Sequence, residues 1–129
     1  KATLLALIHD AAESVTGNVA KIVRDKMGLS QWRMLEASVV GELGFSDEFN
    51  EYVNLGSPEA IIVAISDKLA TLIRACQYSE LNYDTSPLVE NYLIEVRELL
   101  NKLNNGELNE LLNDALTKCI SQGSGKTWV

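Results

Sequence analysis

The chain has very little histidine, cysteine, proline and aromatic residue, and each shortage excludes something. A single histidine among 129 residues rules out a histidine-rich metal cluster built from these residues alone. Two cysteines, Cys76 and Cys119, are too few for a disulfide framework and match no zinc spacing, so they read as buried thiols in a reducing cytoplasm. Basic residues are outnumbered, 11 Lys and Arg against 18 Asp and Glu, for a net charge of −7. That balance argues against a nucleic-acid backbone as the main partner, which would want a basic surface. No apolar run reaches the roughly 18 residues of a membrane span, and the start lacks the layout of a signal peptide. No segment alternates apolar and polar residues as a half-buried strand does. The 129 residues have room for one domain with one core, expected over 1–120 with a tail over 121–129.

What is present is helical periodicity. The Val19–Met27 stretch repeats apolar residues at three and four, so Val19, Ile22, Val23 and Met27 are expected inward, with Gly28 closing the helix. Ser30 is expected to cap the next helix, which puts Trp32, Leu35, Val39 and Leu43 on one side. A short helix from Ser46 buries Phe49, Tyr52 and Val53. Ser57-Pro58-Glu59 is a strong helix start, with a capping hydroxyl, proline in the first turn and an acid at the positive dipole end. The helix that follows is apolar almost all round, apart from Asp67. Ser86-Pro87 repeats that start, Asn104-Asn105-Gly106 breaks the helix, and a last one runs from about Glu107. The expectation is all-α, a bundle of six or seven helices.

The stretch that carries chemistry is LLALIHDAAESVTGNV, from Leu4 to Val19. An apolar helix ends in His9 and Asp10, with Glu13 on the same face as His9 four residues on. Buried ionisable groups cost several kcal/mol unless paired or bound to a metal, so a metal ion off this helix flank is one way to hold them. Asp67 poses the same problem on a core helix, unless it faces solvent or pairs with Arg74. Residues GSGKT, 123–127, lack the first glycine of a phosphate loop, since Ile120 stands in its place.

HD-A-A-E followed by T-G-N resembles the HD superfamily of metal-dependent phosphohydrolases, and most of all its 5′-deoxynucleotidase branch. The resemblance implies an HD-type helical domain in which His9, Asp10 and Asp67 ligate a divalent cation (Mn²⁺, Co²⁺, Fe²⁺, Zn²⁺ or Mg²⁺). It implies Glu13 and Asp10 as catalytic carboxylates, and removal of phosphate from nucleoside 5′-monophosphates, deoxynucleotides above all. Such proteins carry a further metal-binding histidine on an earlier helix, and this chain opens at Lys1 inside an apolar helix, so an upstream helix is expected outside this sequence. Asn18 stands where the family has Asp; it could bond a sugar hydroxyl but take no proton. Lys21, Arg24 and Arg33 are the nearest cations for the substrate phosphate. The rival readings are a guanosine-tetraphosphate hydrolase, whose pattern wants Asp at Ser14, and a catalytically silent acidic dimerisation domain. A cytoplasmic homodimer, joined through the later helices and engaging neither membrane nor nucleic-acid polymer, completes the expectation.

Overall fold

The computed structural model describes residues 1–124, with side chains described through Asp114 and at Thr117. Among these residues the chain is all-helical. The segments are α1 (Ala2–Ile8), α2 (Glu13–Thr16), α3 (Lys21–Met27), α4 (Leu29–Glu42), α5 (Ser46–Val53), α6 (Pro58–Glu80), α7 (Ser86–Leu103) and α8 (Gly106–Ser124). Between α1 and α2 the amide of Ala11 bonds the Ile8 carbonyl at 3.0 Å and that of Glu13 bonds the Asp10 carbonyl at 2.9 Å. These tighter i→i−3 turns keep the backbone helical, with Ala12 still right-handed. Taken as one interrupted helix, α1 and α2 bring the described count to the six or seven expected. Gly17 ends this stretch at φ +69, where a side-chain-bearing residue would be strained.

The chain divides into two compact units, Lys1–Val63 and Ala64–Val129, where the sequence is read as a single domain over 1–120. In the first unit Leu5, Ile8, Ala12, Val40, Phe49, Ala60 and Val63 form one buried cluster. Helix α5 packs on both α1 and α4 and closes it, with Phe49 pointing inward as its spacing predicts. The start of α6 is held as expected: the Ala60 amide donates to Ser57 Oγ at 3.2 Å, and Ser57 in turn donates to Glu51. In the second unit Ala64, Ile65, Leu72, Ala75, Val96, Leu99 and Leu100 are buried. There Lys68 of α6 pairs with Glu95 of α7 at 2.5 Å and lies 5.3 Å from the Tyr92 ring centre.

Four expectations are corrected. Helix α3 buries nothing, and Ile22 is 68% exposed with Val23 and Met27 also outside. A seven-residue helix that packs on α4 leaves its apolar stripe largely uncovered among the described residues. Ser30 is not the cap of α4: Gly28, at φ +96, is, and the Ser30 hydroxyl donates to the Gln31 side chain instead. Thr85, not Ser86, precedes α7, and its hydroxyl donates to the Ala75 carbonyl at 3.0 Å rather than to the helix. Cys76 is half-buried and disulfide-bonded rather than a buried thiol. The side chain of Cys119 and residues 125–129, with most of GSGKT, lie outside the described residues. Helix α8 itself continues through Ser124, past the 121 boundary drawn for the tail.

Candidate metal and phosphate site

His9 and Asp10 sit at the tightened turns that follow α1. Leu5 and Ile8 anchor that helix in the core, while Leu7 is 73% exposed, so the apolar run has an open side. The pair is therefore not sealed inside an apolar core: the His9 side chain is 18% exposed and that of Asp10 61%. Asp67 is exposed on α6, and among the described residues no polar or charged residue is fully buried. The expected cost of burying these charges is thus largely absent, and what remains to argue from is geometry.

That geometry is specific at His9. Its Nδ1 lies 2.7 Å from the Ala6 carbonyl oxygen and its Nε2 lies 3.1 Å from Asp10 Oδ2. A carbonyl only accepts, so Nδ1 carries the proton and donates to it, an assignment made from the partner. In the neutral ring Nε2 then turns its lone pair toward a carboxylate oxygen, whereas in the imidazolium it donates to that oxygen. Two acceptors at that distance repel unless a proton or a cation lies between them. The side chain of Tyr52 on α5 meets the imidazole edge-on, with ring centres 5.5 Å apart and planes at 65°, which fixes the ring's orientation.

Behind Asp10 lies a charged cluster built from α3 and α4. Trp32 is 5% exposed, and the Arg24 guanidinium carbon lies 5.9 Å from its ring centre. Both Arg24 Nε and Trp32 Nε1 are buried without a geometrically sound hydrogen bond among the described residues. Glu36, one turn beyond Trp32, feels all of this. Burial pushes its carboxyl above the usual range, the nearby Trp32 N–H and then Arg24 and Arg33 pull it down, and Asp10 adds repulsion. Burial wins.

The residues predicted from sequence fall into three groups. His9 with Asp10, and Arg24 with Arg33 around Glu36, gather in the first unit. Glu13, half-buried, opens α2; Asn18 and Lys21, both exposed, stand at the entrance to α3. Asp67 belongs to the second unit. Sequence reasoning passed over Glu36, Trp32 and Tyr52 as site residues. Glu36 could have been found: it lies four after Trp32 and three after Arg33, on the flank of the predicted inward stripe.

For a divalent ion the fit of His9 and Asp10 is that of a two-ligand edge. Two adjacent ligands each about 2.0–2.2 Å from one ion stand roughly 3 Å apart, which the 3.1 Å separation matches. An imidazole nitrogen and a carboxylate oxygen also suit first-row divalent metals. Among the described residues no group of three or more His, Cys, Asp and Glu stands together at metal-binding spacing. No family profile, curated protein or solved structure matches this chain.

Proposed function

We propose that this chain is a metal-dependent phosphohydrolase that removes phosphate from nucleoside 5′-monophosphates, deoxynucleotides in particular. The observation that carries the reading is the orientation of His9: its Nδ1 is committed to Ala6, and its Nε2 meets Asp10 at the spacing of paired ligands. In this reading His9 and Asp10 hold the cation, which when bound would acidify a water and offset charge on phosphorus. Arg24 and Arg33 bring two guanidiniums to the same neighbourhood, the donor type best suited to phosphate oxygens. Lys21 adds a third cation at the start of α3. Glu13 accepts the proton of the attacking water, and Asn18 bonds a sugar hydroxyl. Cytoplasmic residence belongs to the reading as well; the disulfide at Cys76 stands against it, since such bonds are rare in reducing compartments.

A second reading, a non-catalytic helical domain that dimerises, draws on the uncovered apolar face of α3, where Ile22, Val23 and Met27 are exposed.

Phosphate release from deoxynucleoside monophosphates, nucleoside di- and triphosphates and guanosine tetraphosphate, with Mn²⁺, Co²⁺ or Mg²⁺, decides among these. The hydrolase reading expects release from monophosphates, abolished by His9→Ala and slowed about 10²–10⁴-fold by Glu13→Gln, the usual worth of a positioned base. Release confined to guanosine tetraphosphate would move the assignment to that hydrolase. No release from any substrate by metal-loaded protein would leave the dimerisation domain.

A further inference from the structure

One carboxylate of the first unit sits among the cations assigned to phosphate without being assigned to anything itself. Glu36 is half-buried on α4, one turn after Trp32 and three residues after Arg33. Residues four apart share a helix face, so Glu36 stands on the side of α4 that carries the buried Trp32. Helix α3 packs on α4, and from it the Arg24 guanidinium reaches over that indole, its carbon 5.9 Å from the ring centre. Arg24 and Arg33 both lie within Coulomb reach of the Glu36 carboxyl, and so does Asp10, whose Oδ2 stands 3.1 Å from His9 Nε2. Glu36 is thus coupled by charge to the two guanidiniums and to the His9–Asp10 pair alike. Arg24 and Arg33 against Glu36 leave the cluster a single net positive charge.

We infer that Glu36 limits the site to a single phosphate group: it leaves Arg24 and Arg33 able to seat a monophosphate and repels the further phosphates of a di- or triphosphate. The inference rests on the hydrolase reading above and names the residue that makes monophosphates its substrate. Guanidiniums alone do not count phosphates. Their forks of N–H donors take any phosphate oxygen, and two uncompensated forks hold a longer, more charged chain more tightly. Rejecting the longer chain needs a repulsive element, and a carboxylate fixed beside the donors is one. The repulsion grows with the charge brought in, so a third or fourth negative charge costs more than the first two. Half-burial strengthens it, because a carboxylate partly withdrawn from solvent is less screened than one in open water. Asp10 is committed to the cation in that reading, whereas Glu36 keeps its charge for the substrate to meet.

The test uses the full chain in two experiments. In the first, EDTA-treated protein is titrated at fixed ionic strength with inorganic phosphate, pyrophosphate and tripolyphosphate, and binding is followed by calorimetry. The parent binds the three within about threefold of one another, whereas Glu36→Gln favours pyrophosphate and tripolyphosphate over phosphate by about tenfold. Glu36→Asp, which keeps the charge, keeps the parental order, and Arg24→Gln weakens all three ligands. In the second, Mn²⁺-loaded protein is assayed for phosphate release from deoxyadenosine mono- and triphosphate. There Glu36→Gln raises kcat/KM for the triphosphate relative to the monophosphate about tenfold. Glutamine fills the same volume as glutamate, and circular dichroism checks the fold of each variant. Anion binding that keeps its parental order in Glu36→Gln, or that ignores Arg24→Gln, overturns the role of Glu36, and monophosphate turnover in the same protein leaves the hydrolase standing. Polyphosphate selectivity that depends on Glu36, without phosphate release from any substrate, keeps the role of Glu36 and overturns the hydrolase. No anion binding in any form, with no release, overturns both.

Discussion

Three leucines within four positions of α1 have different fates, and substituting two of them measures what positions His9. Leu5 is 0% exposed at the centre of the first unit's core; Leu7, two residues later, is mostly in solvent. Leu5→Ala removes three carbons' worth of burial, about 2.4 kcal/mol at roughly 0.8 kcal/mol per methylene. The cavity left among Ile8, Val40, Phe49 and Val63 adds to that, because a closely packed core relaxes only in part. The expected total is about 3–5 kcal/mol, the upper range for buried Leu→Ala changes. Leu7→Ala should cost about 0.5 kcal/mol or less, as surface substitutions do. Urea denaturation followed by far-ultraviolet circular dichroism, fitted at constant slope, gives both values. If Leu5→Ala also loosens α1, the bond from His9 Nδ1 to Ala6 weakens and metal affinity falls with stability. Equal costs for the two substitutions would refute the placement of α1, and with it the orientation of the imidazole.

Two further expectations concern pH. Glu36 has its acidity lowered by burial, so the native state holds its proton to higher pH than the unfolded chain. Its ionisation therefore costs stability above the raised native value, and the cost disappears below the ordinary carboxyl range. Glu36→Gln should raise the melting temperature near neutral pH and lose that advantage as pH falls toward 4, read by thermal melts across pH. Glu51 behaves oppositely: its bond with Lys1, then with Ser57, holds its carboxyl below the usual range. The stability it contributes is present above the ordinary carboxyl range and lost as pH falls through the depressed value, so Glu51→Gln should be destabilised at neutral pH only.

The helices were legible in the sequence because helix starts and stops are local chemistry. Ser57-Pro58-Glu59 opens a helix through its own side chains, and Gly17, Gly28 and Gly44 take the positive φ that ends one. Which face of a helix is covered depends on neighbours, and there periodicity misled. The stripe of α3 reads as a core stripe, yet the helix packs on α4 and buries none of its residues. The same holds for Leu7, whose apolar neighbours in sequence say nothing about which side of α1 meets α5. At the site, the His-Asp pair could be read directly, since adjacent residues are adjacent in any fold. Glu36 acquires its character first from burial, then from Trp32 beside it, Arg24 and Arg33, and Asp10, and only the packing of α3 on α4 reveals that. On α6 the sequence leaves Asp67 between a core position and a solvent-facing one, and the structure exposes it.

In the proposed reading His9 and Asp10 form one edge of a divalent metal site. Titrating EDTA-treated protein with Mn²⁺ and following the free ion by electron paramagnetic resonance tests it without reference to turnover. About one tightly held ion per chain is expected, released on His9→Ala or Asp10→Asn and retained on Lys26→Gln, a change at an exposed cation outside the site. Mn²⁺ binding of equal stoichiometry and affinity in the parent, His9→Ala and Asp10→Asn proteins would contradict it, as would a parent that binds none.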